Sequence, residues 1–199
     1  MNKGRLFILS GPSGSGKDTI LGGVFTQMPE VRFSISCVTR PMRAGEQEGE
    51  KYHFMEKSVF EQMLTEDGFL EHNCYVGNYY GTPKAPVEKA LRDGADMIVE
   101  IDVNGAAQIR QKMPQTVSIF IMPPSLEVLR ERLVNRGTDN PKKIEERMQA
   151  ALSEIARANE YDYIVINDDL QEAIDDTVTI LKADRLRVDR CNLQKYGVG

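Results

Sequence analysis

The sequence predicts an α/β fold, a parallel sheet flanked by helices with a mostly β lobe inserted into it and a helical lid. Three observations predict it. Short apolar or β-branched runs recur at residues 6–9, 97–101, 117–122 and 163–166, each followed by a helix-like pattern, which is the alternation of βαβ units around a parallel sheet. A glycine-rich turn stands directly behind the first run, where a strand hands over to a helix. Between about Val31 and Gly81 the alternation changes to strand-like segments with one helix among them.

Taken in order, Leu6-Phe7-Ile8-Leu9 reads as the first strand. Behind it, Gly11-Pro12-Ser13-Gly14-Ser15-Gly16-Lys17-Asp18-Thr19 matches the pattern GxxxxGK[ST] except at its last position, where Asp18 replaces a hydroxyl. In that pattern glycines let backbone N–H groups curl around a polyphosphate, the lysine reaches its β/γ oxygens, and the following helix points its positive end at the anion. A nucleoside triphosphate is the predicted ligand. The helix presents Ile20, Leu21, Val24 and Phe25 to the sheet, despite Gly22 and Gly23, until Met28-Pro29 ends it.

Residues 31–38 alternate like one half-exposed strand. A polar loop over 40–51, the run Tyr52-His53-Phe54, a helix over 56–66 and a strand over 69–76 complete the inserted lobe, and Pro83 opens the helix that returns to the core. Ser125 is an N-cap for a helix over 126–135 with the stripe Leu126, Leu129 and Leu133, closed by Gly137. Asn140-Pro141 starts another helix, with Ile144, Met148, Leu152 and Ile155 on one face and Arg147 at its edge.

At 199 residues and 41% hydrophobic, the chain supports one well-buried domain with elaborations and hardly two. Its expected parts are a core over about 1–33, 83–123 and 148–199, a lobe over about 34–82 and a lid over about 124–147. A net charge of −5 argues against a general positive field for nucleic acid or an anionic membrane, so any anion site must be local. Cys37, Cys74 and Cys191 have neither disulfide-framework nor zinc-ligand spacing, which fits a reducing cytosol. The start of the chain is too brief for a signal segment and no run approaches a membrane span, so a cytoplasmic protein is expected.

Several groups could carry chemistry. Arg40 and Arg43 flank Pro41 in Thr39-Arg40-Pro41-Met42-Arg43-Ala44-Gly45-Glu46, an arrangement able to grip one phosphate from two sides, though charged loops are usually only solvated. Tyr52 and the run Gly77-Asn78-Tyr79-Tyr80-Gly81-Thr82 favour the phosphate role, since tyrosine hydroxyls can complete a phosphate shell. Glu71 is a carboxylate on a strand with apolar neighbours; guanine presents N1–H and N2–H₂ side by side as its natural partners, whereas adenine N1 would repel it. Ser36 and Thr82 are available for guanine O6.

Glu100 and Asp102 end a buried-looking strand, where one can reach Mg²⁺ or a substrate; an N-cap is the other reading of Asp102. Arg130, Arg132, Arg136 and Arg147 surround the turn 137–141. They read either as an exposed face paired with Glu127, Glu131, Glu145 and Glu146, or as an arginine-bearing lid over a migrating phosphoryl group. His53 and His72 share no ligand spacing and read as structural.

Taken together, GPSGSGKDT, the SxSxxTRPxRxGE pattern over 34–46, Phe69-Leu70-Glu71, GNYYGT, the ExDxxG pattern over 100–105 and Ile166-Asn167-Asp168-Asp169 resemble the guanylate kinase family. The resemblance runs from Arg5 to about Arg187. It implies a P-loop NTPase-type core and ATP-dependent phosphorylation of GMP, and of dGMP, to the diphosphate in purine nucleotide metabolism, with Mg²⁺ between the phosphates and no covalent enzyme intermediate. By resemblance the loop from Gly11 through Pro12, Ser13, Gly14, Ser15, Gly16, Lys17 and Asp18 to Thr19 holds ATP, with Arg132, Arg136 and Asn167. Arg40, Arg43, Tyr52 and Tyr80 hold the GMP phosphate, and Ser36, Glu71 and Thr82 read guanine with Glu100, Asp102 and Arg147 alongside. Lys17, Arg40, Arg132, Arg136 and Arg147 would stabilise the transferring group.

Two departures from the family pattern stand out. Asp18 removes the usual side-chain hydroxyl, leaving Thr19, water and the phosphates themselves to ligate Mg²⁺. Glu100 stands where Asp is commoner. The competing readings are a non-catalytic scaffold domain that binds a phosphopeptide, and a kinase acting on a ribosyl phosphate. The intact Gly16-Lys17 and the arginines oppose the first; Glu71 and GNYYGT are superfluous to the second. ATP and GMP are the expected partners, and homo-oligomerisation is left open.

Overall fold

The computed structural model describes residues 4–135, 137 and 140–191. Strand β1 (Leu6–Ser10) is buried along its whole length. The larger sheet has the order β2-β7-β1-β8-β9, with β2 at Arg32–Phe33, β7 at Met97–Glu100, β8 at Val117–Met122 and β9 at Tyr163–Ile166. The described residues form two compact units that exchange within β1: one comprises 9–30 and those from 117 to 191, the other 4–8 and 31–116.

In the first unit, α1 (Lys17–Gln27) buries Ile20, Leu21 and Val24, as its sequence spacing requires, and stops at Met28. It lies against α7 (Leu170–Asp184), which buries Ala173, Ile174, Val178 and Leu181. Strands β8 and β9 pair in parallel from Ile119 with Tyr163 to Met122 with Ile166. The helices α5 (Leu126–Asn135) and α6 (Pro141–Ile155) close over Leu129, Leu133, Ile144, Met148 and Ala151. Both expected N-caps form: Ser125 Oγ accepts from the Val128 N–H and Asn140 Oδ1 from the Lys143 N–H. The α6 stripe differs from expectation. Ala151, seven residues after Ile144, takes the inward position, while Leu152 is 41% exposed, because two turns of 3.6 residues return nearer to seven than to eight. Leu126 likewise sits at the edge of its helix, partly in solvent.

In the second unit, β2 and β7 pair in parallel, and a four-stranded sheet runs β4-β3-β6-β5. Its strands are β3 (Ser36–Val38), β4 (Tyr52–Phe54), β5 (Phe69–Tyr75) and β6 (Asn78–Pro83). The single strand expected over 31–38 is in fact two. The Ser34 N–H donates to the Ile98 carbonyl, whereas the Ser36 N–H donates to the Lys51 carbonyl, so the backbone changes sheets at Ile35. Helix α2 (Lys57–Thr65) turns Phe60 inward, where it stacks on Phe69 at 4.2 Å and on Tyr79 at 5.2 Å between ring centroids. These rings and Cys37 form the core of the lobe. Burial, then the nearby Glu48, push the Cys37 thiol up to about 11, which leaves it a packing residue without nucleophilic character at neutral pH.

Strand β6 is absent from the local sequence pattern. Its glycine and asparagine weaken the β signal, yet it pairs with β5 from Glu71 opposite Thr82 to Tyr75 opposite Asn78. Pro83 ends β6 and caps α3 (Lys84–Arg92). Among the described residues no helix is long and apolar enough to cross a membrane.

Candidate active site

Each unit carries one group of the expected residues. In the first, the turn from Gly11 to Gly16 is held closed by the Ser15 N–H donating to the Pro12 carbonyl at 3.1 Å. Lys17 folds back along it, its Nζ donating to the carbonyls of Gly11 at 2.6 Å and Pro12 at 3.1 Å. The ammonium is thereby parked over the loop at the N-terminal end of α1, the end at which the helix dipole favours an anion. Asp18 and Thr19 lie exposed in the first turn of that helix.

Gly16 occupies the left-handed region at φ 94°. A Cβ there would lie 2.2 Å from Asn167 Nδ2, so the position is closed to side chains on two counts. Asn167 follows β9, is 5% exposed, and donates from Nδ2 to the Ser15 carbonyl at 2.7 Å. Its own carbonyl accepts from Arg132 Nη2 at 2.9 Å, and Arg132 Nη1 is buried with no hydrogen-bond partner in the protein. Arg147 reaches the loop from α6, Nη1 to Ser13 Oγ, at 3.3 Å. The loop, Lys17, Arg132, Arg147 and Asn167 are thus assembled; Arg136 lies outside the described residues. Arg130 takes the plainer of its two readings, an exposed pair with Glu145 at 2.8 Å.

In the second unit Arg40 is firmly anchored. It is 8% exposed, and its two terminal nitrogens each donate to one oxygen of Glu46 at 2.6 Å. The guanidinium carbon stands 5.2 Å from the Tyr52 ring centre and 5.6 Å from that of Phe54. Glu46 also accepts from the Arg43 N–H at 2.7 Å. The hydrogen bonds from Arg40 and from this amide hold the Glu46 carboxyl at about 2, and Glu46 in turn raises the Arg40 guanidinium further above its ordinary range. Tyr80 meets the edge of Tyr52 at 6.3 Å. Arg43 projects into solvent on the same loop.

Glu71 is 5% exposed on β5 and accepts from the Thr82 hydroxyl at 2.7 Å across the sheet. Burial pushes its carboxyl up to about 7 against the pull of that hydroxyl, with nearby Asp102 adding to the rise. Helix α4 (Val103–Lys112) comes so close that a Cβ on Gly105 would lie 2.7 Å from Glu71 Oε2. Asp102 is the N-cap of α4, Oδ1 accepting from the N–H groups of Asn104 and Gly105, while Oδ2 accepts from Asn73 Nδ2 at 3.1 Å. Glu100 pairs with Lys51 at 3.1 Å. Ser36 is half-buried at the head of β3, beside Tyr52 in the register of β4.

Glu46, Phe54 and Asn73 join these groups without a role that the sequence alone assigns them. Glu46 was legible in principle, as the acid in the same short loop as two arginines; Asn73 gave no local signal, because its partner is twenty-nine residues away.

A glycine-rich phosphate loop between a buried strand and a helix, with arginines and a lysine about it, defines a P-loop nucleotide-binding protein of α/β fold. The guanylate kinase family model matches residues 3–184. Curated guanylate kinases from Carboxydothermus hydrogenoformans and Thermus thermophilus are 47% and 48% identical, over 96% and 94% of this chain and 94% and 85% of their own lengths. The crystal structure of guanylate kinase from Anaplasma phagocytophilum superposes with a TM-score of 0.80 at 31% identity, over 98% of this chain and 93% of that one. The chain belongs to the guanylate kinase family.

Proposed function

We propose that this protein transfers the γ-phosphoryl group of ATP to GMP, and to dGMP by the same acceptor site, giving ADP and the guanosine diphosphates in the cytoplasm. The observation that carries this reading is the buried Glu71–Thr82 pair. A carboxylate withdrawn from water and fixed by a hydroxyl is suited to accept the adjacent N1–H and N2–H₂ of guanine, and a base without those donors leaves it unpaired at a cost that rejects the ligand. Ser36 serves the O6 side, while Thr82, whose hydroxyl proton goes to Glu71, holds that carboxylate in place, with Asp102 alongside and Glu100 at the rim.

In this reading residues 34–82 are the acceptor lobe and 124–147 the lid. Arg40, Arg43, Tyr52 and Tyr80 take the GMP phosphate. Gly11 to Thr19 cradle the phosphates of ATP, and Lys17, Arg132, Arg136 and Arg147 neutralise the charge that spreads over the γ oxygens in the transition state. An oxygen of the GMP phosphate bonds to the γ phosphorus as the bond from that phosphorus to the β,γ-bridging oxygen breaks, and ADP leaves with the bonding pair. No group on the protein becomes phosphorylated, so catalysis rests on positioning and charge.

The described residues contain no group of three or more His, Cys, Asp or Glu side chains able to cage a metal. That suits Mg²⁺ carried by the nucleotide, since this ion keeps several waters and takes few protein ligands. Thr19, with water and phosphate oxygens, would hold it. The bound ion supplies charge neutralisation between the phosphates.

A coupled assay with Mg-ATP across nucleoside monophosphates tests the proposal. Turnover of GMP and dGMP well above AMP, CMP and UMP is expected. Turnover of ribosyl phosphates with none of GMP or dGMP, or phosphopeptide binding without any turnover, overturns it.

A further inference from the structure

We propose that Gln108 is a positioning residue for guanine selection: its amide takes the place of a neighbouring strand beside β5 and holds the main chain from which Glu71 projects. This rests on the reading of Glu71 as the group that accepts from the guanine edge. Strand β5 ends the four-stranded sheet, so one row of its N–H and C=O groups has no strand opposite it. At His72, next to Glu71, a side chain of α4 fills that row. The His72 N–H donates to Gln108 Oε1 at 3.2 Å, and Gln108 Nε2 donates to the His72 carbonyl at 3.0 Å. Two residues of an antiparallel ladder exchange the same pair of bonds, and both ends of the amide are used.

An outer anchor matters here because the inner register of the strand is broken. Phe69 lies opposite Pro83 and Glu71 opposite Thr82, so β5 takes two residue steps where β6 takes one. The extra residue, Leu70, makes a bulge, which bends the strand and re-aims the side chains beyond it. Glu71 is the first of these, and its direction depends on what fixes the backbone just past the bulge. Thr82 holds one carboxylate oxygen from within the sheet; Gln108 holds the main chain from outside it. On the near side of the bulge the Phe69 carbonyl, whose register partner Pro83 has no N–H, accepts from Lys112 Nζ at 2.9 Å. Gln108 and Lys112 are one helical turn apart on the same face of α4, so the helix clamps the bulge at both ends.

The test measures, on the full chain, the KM for GMP, the inhibition constant of inosine monophosphate (IMP) against GMP turnover, and the KM for ATP. IMP lacks the 2-amino group and offers Glu71 one donor fewer. Wild type is compared with Gln108→Met, which keeps length and helix propensity but neither hydrogen bond, and with Gln108→Glu, which keeps the acceptor and is the milder change should the first variant unfold. Glu71→Gln and its double variant with Gln108→Met complete the set. Gln108→Met is expected to raise the KM for GMP about fivefold, on the scale of one or two ordinary hydrogen bonds, with the IMP constant and the KM for ATP within about twofold of wild type. Gln108→Glu should fall between the two. In the Glu71→Gln background Gln108→Met should change the preference for GMP over IMP less than about twofold, since the group it aims is gone. Equal rises for GMP and IMP would make Gln108 a structural residue of the lobe and overturn the proposal. So would an unchanged preference, or a full effect in the Glu71→Gln background. A wild-type preference in Glu71→Gln itself sinks the underlying reading of Glu71 instead.

Discussion

Glu46 grips Arg40 end-on, two oxygens against two nitrogens at 2.6 Å each, while the rings of Tyr52 and Phe54 stand beside the guanidinium. Planar pairing of this kind fixes a direction as well as a charge, and a lysine ammonium cannot reproduce it. Arg40→Lys should therefore raise the KM for GMP by about tenfold or more, with the KM for ATP within twofold of wild type. Steady-state kinetics with each substrate varied in turn makes the comparison, and equal rises in both constants would remove Arg40 from the acceptor site.

Glu71 makes both stability and substrate use depend on pH. Its carboxyl titrates at about 7 in the folded chain against an ordinary 4.5. Between those values the folded protein keeps a proton that the unfolded chain has released, so raising the pH through this window favours unfolding, and the penalty is complete above about 7. Its size is on the order of 3 kcal/mol. Guanine needs the ionised form, because a carboxylate accepts from both donors at once; GMP affinity should rise as the pH passes through the same upper value.

Urea unfolding and GMP titration at pH 5 to 8, each compared with Glu71→Gln, isolate the effect, since ionisation of the GMP phosphate is common to both proteins. The wild type is expected to lose stability relative to the variant across this range and to gain GMP affinity relative to it. Parallel pH profiles for the two proteins would refute the shifted carboxyl.

What the sequence made legible follows from the range of the interactions. The phosphate loop, the cap residues Ser125 and Asn140 and the strand at 117–122 are set by neighbours within a few positions, and each lies where the local pattern puts it. The bend at Ile35 is invisible locally, because the alternation on either side of it is unbroken and only the distant partners Ile98 and Lys51 reveal two strands. The same holds for the site. Lys17 and Arg40 announce themselves in motifs, whereas the brace from Asn167 to Ser15 spans 152 positions and appears only when the chain is folded.

The hairpin that carries the GNYYGT run contains a stored cost. Strands β5 and β6 are joined by Val76 and Gly77 at φ 48° and 75°. Two left-handed residues suit the twist of a tight hairpin, for which Asn-Gly is the favoured pair, but a β-branched side chain is strained there. Val76 is 79% exposed, so it gains little packing in return. Val76→Asn is expected to stabilise the protein by about 1 kcal/mol with GMP turnover unchanged. An unaltered or lowered urea midpoint would count against the strained turn.

Gly105 separates the stability of a helix from the shape of a site. It lies inside α4, where alanine is intrinsically favoured over glycine by roughly 1 kcal/mol. A methyl group at this position meets Glu71 Oε2 at 2.7 Å. The carboxylate has little room to withdraw, being buried and tied to Thr82, so the added methyl must turn it off the direction in which it faces a guanine edge. Gly105→Ala should leave the thermal midpoint near or above that of wild type while raising the KM for GMP about tenfold, on the scale of losing one specific polar contact. The pattern matters more than either number: a fall in stability with an unchanged KM for GMP would mean that the methyl displaces the helix, and that Glu71 is not the group whose placement Gly105 protects.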